Sequence, residues 1–208
     1  MLRRSPGVRI GIVARWKPLH LAHGALLEAL LARCRAGEGA ELLIGVGSSN
    51  RYGPRNPFTL EETVGMLHAF LTPRAPTPAA PPSCPLSGRG GWRVVPVPDL
   101  DDPPRWRLMV RDLFGPLDLF VSANPQVRAL MADVWPLAHP LELVPPGRRA
   151  PIDGTRVRRA MARGEAWERL VPPEVAEFMA ARGLPERFRR EFGLRVLSEE
   201  VGNVLLGR

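Results

Sequence analysis

Two histidines, His20 and His23, close the segment Gly11-Ile-Val-Ala-Arg-Trp-Lys-Pro-Leu-His-Leu-Ala-His23, which runs an apolar strand through a turn into a helix. On a first helical turn, side chains at i and i+3 share one face. A helix N-terminus adds free N–H groups and a positive dipole end for an anion, and parallel α/β sheets collect ligands at the carboxyl ends of their strands. The chemistry such a turn suits is stabilisation of a phosphoryl transition state, which asks for placed donors rather than a covalent nucleophile. The plainer alternative is a pair of solvent-facing helix histidines. Lys17, the only lysine in the chain, falls in the same turn. An ammonium there can hold a phosphate as a point charge; a neutral substitution is the alternative.

The elements that must position these groups follow a strand-helix alternation. Val8 to Ala14 is a β-branched and apolar run, and Ala25 to Arg35 has helical leucine periodicity. Glu41 to Gly47 predicts a second buried strand, and Thr59-Leu-Glu-Glu62 is a capping box opening a helix through Phe70. Trp92 to Val97 and Leu117 to Ser122 predict two further strands. Between them a helix is expected from about Pro104 to Phe114, capped by Asp101 or Asp102. Asn124-Pro125 is a cap and first-turn pair, and Leu141 to Val144 predicts a short fifth strand. A helix is expected after Asp153, with small packed helices over Val175 to Met179 and Leu184 to Phe192; Val196 to Leu206 fits a helix or a late strand. The expected fold is therefore α/β: a Rossmann-like, mainly parallel sheet flanked by helices, with a small C-terminal helical appendage. Residues 1–165 would form the main domain and 166–208 the appendage. The Pro-, Ala-, Ser- and Gly-rich stretch at about 72–91 would be a surface insertion.

The chain has 208 residues, enough for a sizeable core, and a net charge of +8. Its arginines are scattered rather than gathered into a stripe with interleaved aromatics, which argues against a nucleic-acid partner and leaves anionic small molecules compatible. Cys34 and Cys84 suggest neither a disulfide framework nor metal-ligand spacing, and no metal ligands are expected. No apolar signal core or membrane-length run is present, so a cytoplasmic protein without membrane contact is the expectation.

Several motifs in order resemble the archaeal-type nicotinamide-nucleotide adenylyltransferases, over most of the chain. The family's opening Gly-Arg-x-Gln-Pro-Phe-His-x-Gly-His is matched by Ala14 to His23, its Asn-Pro-Phe-Thr by Asn56 to Thr59, and its Asp with Trp seven residues on by Asp99 and Trp106. Ser122-Ala-Asn-Pro125 and Gly154-Thr-Arg-Val-Arg-Arg159, followed by Trp167 and Leu170-Val-Pro172, match the remaining blocks. The resemblance implies transfer of AMP from Mg-ATP to nicotinamide mononucleotide (NMN), giving NAD and pyrophosphate, with Mg2+ brought by ATP. Orientation of two such substrates alone can supply about 7–11 kcal/mol. By similarity His20, His23 and Arg158 would be catalytic contacts of the triphosphate, and Arg15, Asn124 and Thr155 would serve ATP; Lys17, where the family has glutamine, would serve ATP as a point charge on phosphate. Thr155 and Arg158 can present a hydroxyl and a guanidinium to one phosphate, a capped surface helix being the alternative. Phe58, Asp99 and Trp106 would hold NMN, with Trp106 stacking on the pyridinium. The alternatives are a hydrophobic staple for Phe58, a helix-entry residue for Asp99, a core position for Trp106 and helix capping for Asn124. A homo-oligomer is compatible with the resemblance.

Ala22 stands where the family has glycine, and its methyl fits where φ is negative. Asp153 stands where it has serine, and a carboxylate there is expected to cap the helix and face away. Two rival readings share the histidine turn: another nucleotidyltransferase, cytidylyl or phosphopantetheine adenylyl, or a non-catalytic nucleotide-sensing module.

Overall fold

The computed structural model describes residues 7–34, 40–74 and 91–205, with side chains through residue 200. The Pro-rich stretch over 75–90, including Cys84, lies outside the described residues. Five strands, β1 (Arg9–Ala14), β2 (Glu41–Gly47), β3 (Trp92–Val97), β4 (Leu119–Val121) and β5 (Leu137–Ala138), pair in parallel in the order β3-β2-β1-β4-β5. The chain builds outward from β1 to β3, then crosses to the other side of β1. The carboxyl ends of β1 and β4 therefore flank a topological switch point, where α/β sheets open a crevice.

Helices cover both faces: α1 (Leu21–Cys34), α2 (Leu60–Leu71), α3 (Pro103–Phe114), α4 (Pro125–Met131), α5 (Pro140–Leu143), α6 (Gly154–Arg163), α7 (Pro173–Ala181) and α8 (Leu184–Leu205). Ile10, Ile12, Leu42, Ile44 and Val94 point into one core shared with α1, α2 and α6 to α8. On the opposite face Leu43, Val95 and Phe120 pack against Val110 and Phe114 of α3 and Met131 of α4. Gly11 and Gly45 make that second packing possible. A Cβ at either would sit within 2.9 Å of the Phe114 ring, so the two strands leave a slot in which the ring lies. Among the described residues no helix is long and apolar enough to cross a membrane.

Local signals account for the helix starts. Thr59 and Glu62 form the expected capping box, Asp102 accepts from Arg105 N at 2.9 Å, and Asn124 accepts from Gln126 N at 2.9 Å. Three expectations need correction. The fifth strand is Leu137–Ala138, not Leu141 to Val144, because His139 and Glu142 exchange a capping box that winds Pro140–Leu143 into α5, with proline in its first turn. Helix α1 begins at Leu21, four residues before the leucine periodicity starts, which brings His23 inside the helix. The two expected C-terminal segments are one continuous helix, α8.

Candidate active site

The histidine turn is set by an unusual backbone. Trp16, just past β1, has φ 55°, and Ser48, just past β2, has φ 53°. For non-glycine residues such conformations cost on the order of 1 kcal/mol and persist where surroundings over-determine them. The fully buried Trp16 indole supplies that constraint, its Nε1 donating to the Gly45 carbonyl at 2.8 Å. Beyond the turn, Gly24 N donates to the His20 carbonyl at 2.9 Å and His23 N to His20 Nδ1 at 3.4 Å, so His20 caps α1 with its own ring. A ring that accepts at Nδ1 carries its proton on Nε2 and is a donor there. The His20 and His23 rings stack at 3.6 Å between centroids, with His23 also against Trp16 at 4.7 Å.

Burial pushes the His20 pKa down to about 4; Asp153 opposes this and Arg158 adds to it. Burial and the His20 charge likewise hold His23 well below its ordinary value, against a hydrogen bond to the Pro18 carbonyl. Both imidazoles are neutral at pH 7 in the free protein. Positive charge at the site comes instead from arginine.

Arg15, Arg55, Thr155, Arg158 and Arg159 converge on a basin of about 250 Å3 at the start of α6, with Glu199 and Glu200 of α8 also on its rim, Glu200 lying 3.7 Å from Arg159. Arg158 donates from Nη1 to the Lys17 carbonyl at 3.1 Å and from Nη2 to Thr155 Oγ1 at 3.1 Å. This ties α6 to the histidine turn, from the opposite end of the chain. Gly154 makes room for it, since a Cβ there would lie 2.9 Å from Arg158 Nη1. Burial lowers the Arg158 pKa to about 10; Asp153 opposes the shift, while Arg15, Arg55 and Arg159 add to it. The guanidinium stays charged. Among the described residues Arg15, Arg55 and Arg158 form no ion pair with a carboxylate. The four guanidiniums of the basin, those three and Arg159, outnumber the nearby carboxylates Asp153, Glu199 and Glu200, an arrangement suited to the bidentate donors phosphates accept. Asp153 caps α6, accepting from Arg156 N at 2.8 Å as its sequence position suggested, but instead of facing away from the site it stays near enough to His20 and Arg158 to act on the charge of both.

A second concavity, of about 450 Å3, lies at the switch point and is lined by Arg15, His23, Ser48, Asp99, Trp106 and Asn124. Its size suits a nucleotide-sized ligand. Asp99 is hooked to the loop after β2 by a reciprocal pair: Asp99 N to Asn50 Oδ1 at 2.8 Å and Asn50 Nδ2 to the Asp99 carbonyl at 3.1 Å. Its carboxylate lies 3.8 Å from Arg51. Trp106 is half-buried on α3 with part of its ring on the cleft wall. Asn124 lines the cleft while capping α4. Ala22, inside α1, also lines the cleft. Arg15 borders both the cleft and the arginine basin, so the two adjoin at that residue.

Two expected ligand contacts lie elsewhere. Lys17 is 2% exposed, and its ammonium donates to the Ser48 carbonyl at 3.0 Å and toward the Arg51 carbonyl at 3.5 Å. It pins the loop after β2 from beneath rather than meeting a phosphate. Desolvation lowers its pKa, with nearby Asp99 opposing that effect. Phe58 is fully buried in the core and lines neither concavity, although it forms no hydrophobic staple, because the staple's partner position is Thr63. Conversely, sequence reasoning passed over Arg55, the residue directly before Asn56-Pro-Phe-Thr59, and Arg159 beside Arg158. Among the described residues no group of three or more His, Cys, Asp or Glu is arranged to hold a metal ion.

A parallel sheet with its ligand cleft at the switch point, a histidine pair at the start of the first helix and an arginine basin at a later helix start define an α/β nucleotidyltransferase. No family model matches the chain. The nicotinamide-nucleotide adenylyltransferase of Aeropyrum pernix is 33% identical over 189 residues, covering 88% of this chain and 96% of that one. The enzyme of the same name from Methanocorpusculum labreanum is 33% identical over 166 residues, covering 78% and 84%. The chain belongs to the nicotinamide-nucleotide adenylyltransferase family. Its fold is also similar to a bifunctional NMN adenylyltransferase/ADP-ribose pyrophosphatase from Francisella tularensis, with a TM-score of 0.65 at 13% identity. That superposition covers 94% of this chain and 55% of the bifunctional one, so this chain spans about half its length.

Proposed function

We propose that the protein transfers AMP from Mg-ATP to nicotinamide mononucleotide, giving NAD and pyrophosphate. The observation that carries this reading is the junction at Arg15, where a basin holding Arg15, Arg55 and Arg158, none of them ion-paired among the described residues, meets a cleft bearing Asp99 and Trp106. An oxygen of the mononucleotide 5′-phosphate attacks the α-phosphorus of ATP in line. The bond from that phosphorus to the bridging oxygen breaks, and pyrophosphate leaves with the electron pair. Little covalent chemistry is asked of the protein, and its share is positioning and charge stabilisation.

Arg15, Arg55 and Arg158 would hold the phosphates that become pyrophosphate, with the Thr155 hydroxyl beside them. His20, a donor at Nε2, would hydrogen-bond the triphosphate, while His23, whose neutral ring has its one N–H on the Pro18 carbonyl, would donate from Nδ1 only once protonated. An anion brought against them favours the protonated ring, so ATP binding would draw protons from solution. Trp106 would meet the electron-poor pyridinium with its π-face, and Asp99 would accept hydrogen bonds from the carboxamide or a ribose.

The test is pyrophosphate release from purified protein with Mg-ATP and, separately, nicotinamide mononucleotide, its deamidated form, other phosphorylated acceptors and no acceptor. Release that requires a nicotinamide-type mononucleotide is expected. Release with a cytidylyl or pantetheine acceptor only, or tight nucleotide binding with no release, would replace the reading.

A further inference from the structure

The turn that carries Arg55 is gripped from outside the site. Gly53 and Asn56 exchange two backbone hydrogen bonds, Gly53 N to Asn56 O at 3.1 Å and Asn56 N to Gly53 O at 2.8 Å, which leaves Pro54 and Arg55 at the tip. The residues just outside both stems are held by α8. Before the turn, Tyr52 donates to Glu191 Oε2 at 2.5 Å, and its ring meets Phe192 edge-on at 5.4 Å. After the turn, the Pro57 carbonyl accepts from Arg187 Nη2 at 3.2 Å. The same guanidinium grips both carboxylate oxygens of Glu62, whose Oε2 also accepts from Thr59 N at 2.9 Å in the capping box of α2. Arg187 and Glu191 are one helical turn apart, so a single face of α8 holds both ends of the turn.

The neighbouring half of this loop has a different anchor. Lys17 holds the Ser48 and Arg51 carbonyls from within, and Asn50 hooks the Asp99 backbone. The loop after β2 is thus divided. Residues 48–51 are fixed from inside and face the cleft through Ser48, whereas 52–57 are fixed by α8 and present Arg55 to the basin. Burial and the hydrogen bond to Glu191 push the Tyr52 pKa up to about 12, so its hydroxyl keeps the proton it donates.

We propose that Arg187 and Glu191 are positioning residues that set Arg55 in the phosphate basin, so that α8 governs the phosphate end of the site and leaves the mononucleotide end alone. This rests on the phosphate-binding reading of the basin. It makes a demand that general destabilisation would not meet: the effect of losing Arg187 must be selective for one substrate and must run through Arg55.

The experiment measures the Mg-ATP dissociation constant of the intact protein by calorimetry, together with KM for nicotinamide mononucleotide, for wild type, Arg187→Ala, Arg187→Lys, Arg55→Ala and the Arg55→Ala/Arg187→Ala double variant. Arg187→Ala is expected to weaken Mg-ATP about tenfold and to leave the mononucleotide KM within about twofold, with Arg187→Lys in between. In the Arg55→Ala background the same change should have no further effect. Tyr52→Phe, which removes one partly exposed hydrogen bond and keeps the ring, repeats the test where Arg187→Ala does not fold, with an expected loss in Mg-ATP affinity of about two- to threefold. Equal losses for both substrates, additive losses in the double variant, or unchanged Mg-ATP affinity in a folded Arg187→Ala protein would overturn the proposal. A wild-type protein that binds Mg-ATP yet releases no pyrophosphate would overturn the reaction instead, and the calorimetric cycle would still decide the role of Arg187.

Discussion

Replacing Gly154 by alanine separates the stability of α6 from the placement of its arginine. Gly154 is the first residue of α6, its φ lies outside the left-handed region, and alanine can take its backbone conformation. The added Cβ would stand 2.9 Å from Arg158 Nη1 and 3.6 Å from the Lys17 carbonyl. Carbon and nitrogen pack comfortably at about 3.5 Å, so the guanidinium must withdraw by roughly 0.5 Å. It sits at the far end of a flexible side chain and can do so without moving the helix. Withdrawal breaks the 3.1 Å bond to Lys17 O that aims Arg158 into the basin. For the fold, a less flexible unfolded chain contributes about 0.4–1 kcal/mol against loss of one charge-assisted hydrogen bond of about 1.5–3 kcal/mol, a net loss of roughly 0.5–2.5 kcal/mol that lowers the melting temperature by a few degrees. For the reaction, a misplaced charge-assisted phosphate bond of about 1.5–3 kcal/mol lowers kcat/KM roughly 10- to 150-fold. Pyrophosphate release with ATP as the varied substrate reads the second effect and a thermal melt reads the first. Wild-type kcat/KM in Gly154→Ala, or less than a tenfold loss in Arg158→Ala as the reference, would refute the assignment of Arg158 to phosphate.

Trp106→Ala should raise the mononucleotide KM about tenfold, from the lost stacking surface and cation–π contact, while Mg-ATP affinity measured by calorimetry holds. Phe58→Ala should cost about 3–5 kcal/mol in urea unfolding and leave the mononucleotide KM unchanged in the cold; a raised KM with intact stability would return Phe58 to the cleft wall. His20 and His23 are both depressed by burial, His20 to about 4. Between the ordinary value near 6.5 and about 4, the unfolded chain therefore binds more protons than the folded one. The stability conferred by neutral His20 is whole above about pH 6.5 and falls by about 3 kcal/mol as the pH drops toward 4. Urea midpoints at pH 7 and 4.5 should show the loss, and His20→Asn should reduce it while leaving the part that His23 contributes.

The sheet, the order of its elements and the family were legible because each rests on a local signal: buried β-branched runs, capping residues and motif spacing. The fifth strand failed because apolar Leu141 to Val144 reads equally as strand or helix, and the deciding His139–Glu142 capping exchange begins with an unusual cap residue. Lys17 shows the limit for the site. Its type and position both suggested phosphate, but Trp16 turns the chain through a left-handed conformation that no periodicity reveals, and the ammonium lies among the carbonyls of the next loop. Arg55 was missed for the opposite reason. It is an unremarked arginine in an arginine-rich chain, and only a turn clamped by residues more than 130 positions away in sequence brings it to Arg158.

The two faces of the sheet are unequal in thickness. Helices α1, α2 and α6 to α8 share one deep core, whereas α3 and α4 cover the other face with a smaller cluster centred on Phe114 in its glycine slot. The arginine basin belongs to the deep side through α6, but Trp106 rides on α3, on the thin side. Local opening is cheapest where buried apolar contact is least. On the proposed reaction, the wall that stacks on the pyridinium can breathe open while the phosphate ligands keep their register. Exchange of acceptor and dinucleotide through the thin side would then show as faster amide hydrogen exchange in α3 than in α6.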